Sequence, residues 1–280
     1  MAREIEMPIP EGSLACFLDE RDSEKSIVVG GFFVSKKHLL ELDKYIVSVK
    51  KEFDLDEGDA IKWNLKDSHC DKARKLIEQN RVNELRIKML SITDKIPLRI
   101  IMSYIWKGKP ENLEDAWKWG FINILQRLSI IMDRKRSKEE GVDLYPALDV
   151  VFDWFPGKKK LDFYFGVYHQ AFMKGFVFEK NKLPPLREFG ACPCLLVSSA
   201  KYSQCLQLTD FFVGASADFF TWCFSGERKQ SVKLFFSKIF GAFHHDERDG
   251  ALGRGLIVHK DVRAKIARKL EEMEDCITPE

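Results

Sequence analysis

Three aspartates lie at positions in the sequence where an ionised carboxylate is costly. Asp19 ends one apolar segment, Asp153 lies inside another, and Asp210 projects from an apolar face if residues 203–224 form a helix. An isolated carboxylate in such surroundings costs several kcal/mol unless it is paired, protonated or bound to a metal ion. An ion pair or a hydrogen bond to a backbone N–H can explain any one of them. Three together favour an oxygen-rich cluster of the kind that holds Mg²⁺ or Mn²⁺.

The segments that carry these aspartates alternate between strand and helix patterns. Asp19 ends a predicted strand at residues 14–19, and Asp153 lies in a predicted strand at residues 147–155, so a sheet can bring them together and a packed helix can supply Asp210. Strands that alternate with helices indicate an α/β sheet covered on both faces. The other strands are predicted at residues 27–34, 98–106 and 195–198, and the other helices at residues 39–53, 73–92, 113–132, 161–172 and 262–273.

The composition limits the classes of protein to consider. The chain has 280 residues, and its 45 Lys and Arg nearly balance 43 Asp and Glu, which excludes a polyanionic tail protein and a strongly basic coat protein. No apolar run reaches the roughly 20 residues of a membrane-spanning helix. Seven scattered cysteines favour reduced, mostly buried thiols. We therefore expect a cytoplasmic protein with no membrane partner. A Walker A loop, a dinucleotide-binding fingerprint and a Gly-x-Ser-x-Gly elbow are absent.

Four segments carry a resemblance to a known family, in the order in which that family has them. They are Phe17-Leu18-Asp19-Glu20 followed by Gly30-Gly31, then Ile61-Lys62-Trp63, then Val151-Phe152-Asp153, and finally the set Ser199, Gln207, Leu208, Asp210 and Gly214. The chain thereby resembles the prokaryotic domain of unknown function numbered 3800, whose fold is similar to ribonuclease H. The last set is the specific one. Two departures stand beside it: Arg21-Asp22 replaces the usual Ser-Gly, and Thr209 replaces the usual Ala.

The resemblance implies an α/β fold with a ribonuclease-H-like mixed sheet and helices on both faces. Asp19, Asp153 and Asp210 would converge as ligands of Mg²⁺ or Mn²⁺. In that superfamily the usual chemistry is two-metal hydrolysis or transfer of phosphodiesters, with the ions roughly 4 Å apart. Lys62 and Lys201 would contact phosphate or order the site.

A fourth carboxylate often completes such a site. Glu20, Asp59 and Glu57 are candidates, although Glu20 points to the opposite face from Asp19 if the strand continues. Asp22 could add a further carboxylate, because the Arg21-Asp22 departure changes the turn beside the predicted site.

The sequence therefore predicts a divalent-metal-dependent nuclease or phosphodiesterase that acts on nucleic acid. The near-neutral net charge of +2 argues against a large duplex-binding surface and favours a small or single-stranded substrate. The alternative is a non-catalytic module with the same sheet that binds nucleic acid or a protein partner, which the altered turn favours. We expect residues 1–225 to form the ribonuclease-H-like domain and residues 226–280 to form a C-terminal helical extension packed on it.

Overall fold

A computed structural model describes residues 12–23, 26–68, 70–107, 113–138, 147–153, 158–178, 181–225, 230–245 and 250–274. Its strands run long where the sequence is apolar and β-branched, because such residues pack well on a pleated surface. The eight strands found within these residues are β1 (Leu14–Asp22), β2 (Ser26–Ser35), β3 (Leu98–Trp106), β4 (Leu148–Asp153), β5 (Phe176–Phe178), β6 (Asn181–Leu183), β7 (Leu196–Ser198) and β8 (Leu256–Val258).

The main sheet has the strand order β7-β4-β1-β2-β3-β8. Strands β1, β2 and β3 form an antiparallel meander. Strand β4 is parallel to β1, β7 is parallel to β4, and β8 is parallel to β3. An antiparallel meander extended by parallel strands next to β1 is the ribonuclease-H-like arrangement, so the expected fold class is confirmed.

Helices cover the sheet on both faces. Helix α6 packs on β1 and β2 from one side, and α4 packs on β2 and β3 from the other. Two separate apolar clusters result, one on each face. The helices of the described residues are α1 (Leu39–Glu52), α2 (Asp71–Glu78), α3 (Val82–Leu90), α4 (Leu113–Lys138), α5 (Lys158–Lys174), α6 (Gln204–Ser225), α7 (Gln230–Phe240) and α8 (Lys260–Glu274). None of them, within the described ranges, is both long and apolar enough to span a bilayer.

The helix predicted at residues 73–92 is instead two helices, α2 and α3. Asn80 has a φ of 55° and lies in the left-handed region, which Asn tolerates better than most residues. The N–H of Arg81 donates to Leu76 O, and the N–H of Asn80 donates to Ile77 O. This is the hydrogen-bond pattern of a Schellman motif, and it ends α2.

The C-terminal part of the chain contains more than the expected helical extension. Strand β8 pairs with β3, and α7 packs against α3 and α6. Helix α8 is charged but buries one face through Val262, Ile266 and Leu270. Helix α4 likewise continues to Lys138, past the expected end at residue 132. Residues beyond 225 therefore supply part of the sheet and of the core.

Candidate active site

Asp19 and Asp153 lie side by side on neighbouring parallel strands. The register pairs Leu18 of β1 with Phe152 of β4, so the next residue along each strand is one of the two aspartates. Side chains alternate between the faces of a sheet. Phe17 and Val151, two residues earlier, pack in the cluster on the α6 face, and both aspartates therefore point toward α6.

Asp210 reaches the same place from helix α6. The helix lies close to the sheet because Gly31 has no side chain: a Cβ there would overlap the carbonyl of Phe17 and press on the methyl group of Thr209. Thr209 is fully buried at this contact, next to Asp210. The Gly31 and Thr209 positions thus set the distance between helix α6 and strand β1, which continues past the expected end at Asp19 to Asp22.

The three carboxylates interact electrostatically. Burial raises the pKa of Asp19 well above its usual range, and repulsion from Asp210 and Asp153 raises it further. Burial also raises the pKa of Asp210, and Asp153 adds to that increase. Lys62 lowers the pKa of both Asp19 and Asp210. Asp19 therefore lies within electrostatic range of both Asp153 and Asp210.

A backbone N–H holds each of the three carboxylates. Oδ1 of Asp19 accepts from the N–H of Glu20 at 2.7 Å, and Oδ1 of Asp153 accepts from the N–H of Ala200 at 2.8 Å. Oδ2 of Asp210 accepts from the N–H of Trp63. Each bond uses one of the two carboxylate oxygens and fixes the orientation of its side chain.

Trp63 occupies the space that the missing side chain of Gly214 leaves on α6. A Cβ at Gly214 would overlap the Trp63 ring, which is almost completely buried. Asp210 and Gly214 are one helical turn apart, so the first holds the Trp63 N–H while the second accommodates its indole. Core packing is therefore the role of Trp63, rather than the stacking on bases that an aromatic residue near the site could provide. Trp154, the other tryptophan next to one of the aspartates, lies outside the described residues.

Arg86 fixes the other side of the Trp63 peptide. Its Nη2 donates to Trp63 O at 2.7 Å, and its guanidinium carbon lies 4.1 Å from the centroid of the Trp63 ring. The indole N–H donates to Oδ2 of Asp218 at 2.9 Å. Both backbone polar groups of Trp63 and its indole N–H are thus bound, which makes this segment a rigid support for Asp210.

Gln207 joins the two segments that hold Asp153 and Asp210. Its Nε2 donates to Ala200 O at 2.8 Å, and its Oε1 accepts from the N–H of Ile61 at 3.3 Å. The residue is almost completely buried, so its hydrogen bonds do not compete with water. Its place in the family-like motif therefore has a structural explanation.

The positive charges around the carboxylates are only partly those expected from the sequence. Lys62 lies within electrostatic range of the cluster, as expected. Arg21, which we treated as a departure from the family, also lowers the pKa of Asp210. A spacing of two residues places Arg21 on the same strand face as Asp19. The sequence could have predicted its position from this alternation. Lys201 is exposed and directs its Nζ over the ring of Tyr202, at 5.3 Å from the ring centroid.

Glu20 points to the other face of the sheet. Its Oε2 accepts from the hydroxyl of Tyr164 at 2.6 Å, and Tyr164 belongs to the apolar cluster on that face. Asp22 forms an ion pair with Lys107. Glu20 and Asp22 lie one and three residues after Asp19 in β1, so neither shares the α6 face with Asp19.

Glu57 and Asp59 lie in the loop that leads to Trp63. The Nζ of Lys50 donates to Glu57 O at 3.1 Å and to Asp59 O at 2.7 Å. Oδ2 of Asp59 accepts from the N–H of Asp56 at 2.7 Å. These contacts organise the loop, and neither carboxylate is among the charges that shift the pKa of Asp19 or Asp210.

Within the described residues, no three His, Cys, Asp or Glu side chains are already arranged as a set that could hold a metal ion. The donor chemistry of the aspartates fits a hard divalent cation. The backbone hydrogen bonds, however, keep one oxygen of each carboxylate turned toward an N–H.

Comparison of the chain with protein-family models, curated proteins and solved structures finds no match. The resemblance to the domain of unknown function numbered 3800 therefore stays a prediction, and the site has to be interpreted from its own geometry.

Proposed function

We propose that the protein is a divalent-metal-dependent phosphodiester hydrolase that acts on nucleic acid. The observation that carries the proposal is geometric: Asp19 and Asp153 are adjacent on parallel strands, and helix α6, which carries Asp210, packs on that face. Repulsion from Asp210 and Asp153 raises the pKa of Asp19 accordingly. Among the described residues, Lys62 and Arg21 act on these carboxyls without forming an ion pair with Asp19 or Asp210. Carboxylates such as Asp19 and Asp210, drawn out of water and close to other negative charge, form a site suited to a cation.

The proposal assigns three roles to residues of the chain: metal binding, neutralisation of phosphate charge and positioning of Asp210. Asp19, Asp153 and Asp210 would hold Mg²⁺ or Mn²⁺, which when bound polarises a phosphate and lowers the pKa of an attacking water molecule. Lys62 and Arg21 would neutralise charge on the substrate phosphate. The Trp63 segment, held by Arg86, would keep Asp210 in place during turnover.

A non-catalytic binding module is the second candidate. The observation that favours it is that the carboxylates are not arranged as a ready set of metal ligands within the described residues. In that case the same basic residues would bind phosphate, and the aspartates would contribute only to the structure around them. The two candidates differ in their response to metal ions.

Thermal unfolding with and without Mn²⁺ tests the proposal. A ligand that binds only the folded state raises its melting temperature. We expect Mn²⁺ to stabilise the wild type but not Asp210→Asn, and we expect the variant to lose Mn²⁺-dependent cleavage of labelled DNA or RNA. Asp149→Asn is the matched control, because Asp149 lies on the same strand as Asp153 but pairs with Lys36. Equal melting shifts in all three proteins would favour the binding module.

A further inference from the structure

Tyr202 is an aromatic side chain that the core does not use. It is 79% exposed, the highest value among the exposed large hydrophobic side chains of the described residues. The Nζ of Lys201 lies 5.3 Å from the centroid of its ring. A cation at that distance interacts favourably with the face of an aromatic ring. The Lys201 ammonium thus lies over one face of the ring, and the high exposure of Tyr202 leaves the other face open to solvent.

This surface lies next to the candidate active site. The 3₁₀ turn Ala200–Tyr202 begins at the residue whose N–H holds Asp153, at 2.8 Å. Two residues of chain span at most about 7 Å, so the backbone of Tyr202 stays close to that carboxylate. The turn that carries the ring therefore lies next to the proposed reaction centre, within reach of a strand bound there.

The turn that carries Tyr202 is rigid. The hydroxyl of Ser199 accepts from the N–H of Lys201 at 3.2 Å, and Ser199 O accepts from the N–H of Tyr202 at 2.9 Å. Buried Gln207 binds Ala200 O at 2.8 Å from helix α6. A ring on such a support loses little conformational entropy when a flat ligand stacks on it.

We propose that Tyr202 and Lys201 form a stacking platform for an unpaired base of a single-stranded nucleic acid, an inference that rests on the proposed function. Every base has a face that can stack on an aromatic ring, and an adjacent lysine can contact the phosphate of the same strand. A base inside a duplex is already stacked on its neighbours and offers no free face. The net charge of +2 also suits a short single strand better than a duplex.

Fluorescence anisotropy with labelled oligonucleotides of about 12 nucleotides, a length within the usual site size, tests the platform. The titration is done in EDTA to prevent metal-dependent cleavage, with single-stranded DNA and RNA of the same sequence as separate arms. Tyr202→Ala should weaken binding about 5- to 150-fold, the fold-change for loss of one base–aromatic stack. Tyr202→Phe should keep wild-type affinity because it keeps the ring.

Trp119→Ala is the matched control, since Trp119 is 58% exposed on α4, which covers the opposite face of the sheet. It should bind like the wild type. An abasic oligonucleotide should bind the wild type and Tyr202→Ala equally, because it has no base to stack. The arm with the larger effect of Tyr202→Ala identifies whether the strand is DNA or RNA.

The platform is overturned if Tyr202→Ala binds single strands as tightly as the wild type, or if the wild type prefers a duplex of the same sequence. Its failure is distinguishable from that of the proposed function. Binding that depends on Tyr202 without any Mn²⁺-dependent cleavage would retain the platform and remove the hydrolase. Mn²⁺-dependent cleavage by a Tyr202→Ala variant whose affinity is unchanged would retain the hydrolase and remove the platform.

Discussion

Asp19 is the residue at which burial and charge repulsion act together. Its pKa in the folded protein is raised well above the usual value, first by burial and then by Asp210 and Asp153. The folded state therefore binds a proton more strongly than the unfolded state. The stability that the protonated form contributes is fully present below the unfolded pKa of about 3.9 and is lost as the pH rises through the folded pKa.

Asp19→Asn should therefore raise the melting temperature at neutral pH in EDTA, because the amide keeps an acceptor for the Glu20 N–H and removes the charge. The shift should be about 2–4 °C for each kcal/mol gained. Melting curves recorded down to about pH 4 should show the gain shrinking as the wild-type carboxyl becomes protonated. A variant that melts below the wild type at neutral pH would contradict this account, whereas Asp149→Asn should show no such gain.

At the scale of elements, helix α6 and the Trp63 segment form one unit. Asp210 binds the N–H of Trp63, and Gly214 leaves room for its ring. Four residues make about one helical turn, so Asp210 and Gly214 lie on the same side of α6. Their spacing in the family-like motif is therefore explained by packing against Trp63 as well as by the chemistry of the carboxylate. The support for the carboxylate is thus inseparable from the core on this face of the sheet.

Gly214→Ala should destabilise the protein by about 1–3 kcal/mol through overpacking against Trp63. Mn²⁺ should also stabilise this variant less than the wild type, since the Asp210 anchor shifts with the ring. Gly166→Ala is the matched control: Gly166 lies in α5, and a Cβ there would meet nothing within 4 Å. That change should stabilise the protein by up to about 1 kcal/mol through helix propensity. Urea unfolding of both variants measures the difference, and equal effects would refute the packing argument.

At the scale of the whole molecule, the C-terminal residues complete the layers around the site. Strand β8 pairs with β3, and the ring of Phe236 in α7 stacks on Phe219 of α6 with centroids 3.8 Å apart. Asp210 and Phe219 belong to the same helix, so loss of this layer affects the helix that carries the site. The extension is therefore part of the core in the described residues.

A chain that ends at Ser225 should lose cooperative unfolding. Its truncation exposes the edge of β3 and the apolar faces of α3 and α6, which favours aggregation or a loosely packed state. Circular dichroism melting and binding of a hydrophobic dye detect this change. A sharp transition at the wild-type temperature would show instead that the first 225 residues fold independently.

The sequence predicted best those elements whose pattern is long and regular. The nine residues of β3 and the α6 periodicity are such cases, and they place Asp210 on the correct helix. Strand β8 has only three residues and is defined by its pairing with β3, so its local sequence is too short to predict it. The hydrogen bond between Trp63 and Asp210 joins residues 147 positions apart, and its existence depends on the tertiary packing. Arg21 could have been predicted near the site, because residues two apart in a strand lie on the same face and Arg21 follows Asp19 by two.

The central claim is that Asp19, Asp153 and Asp210 share divalent cations. Anomalous scattering from a crystal of the full chain soaked in Mn²⁺ tests it most directly, because the method locates the ions independently of any assumed ligand. The account predicts at least one manganese ion bonded directly to oxygens of all three aspartates. Manganese bound only elsewhere, or three carboxylates each paired with a Lys or Arg, would contradict it.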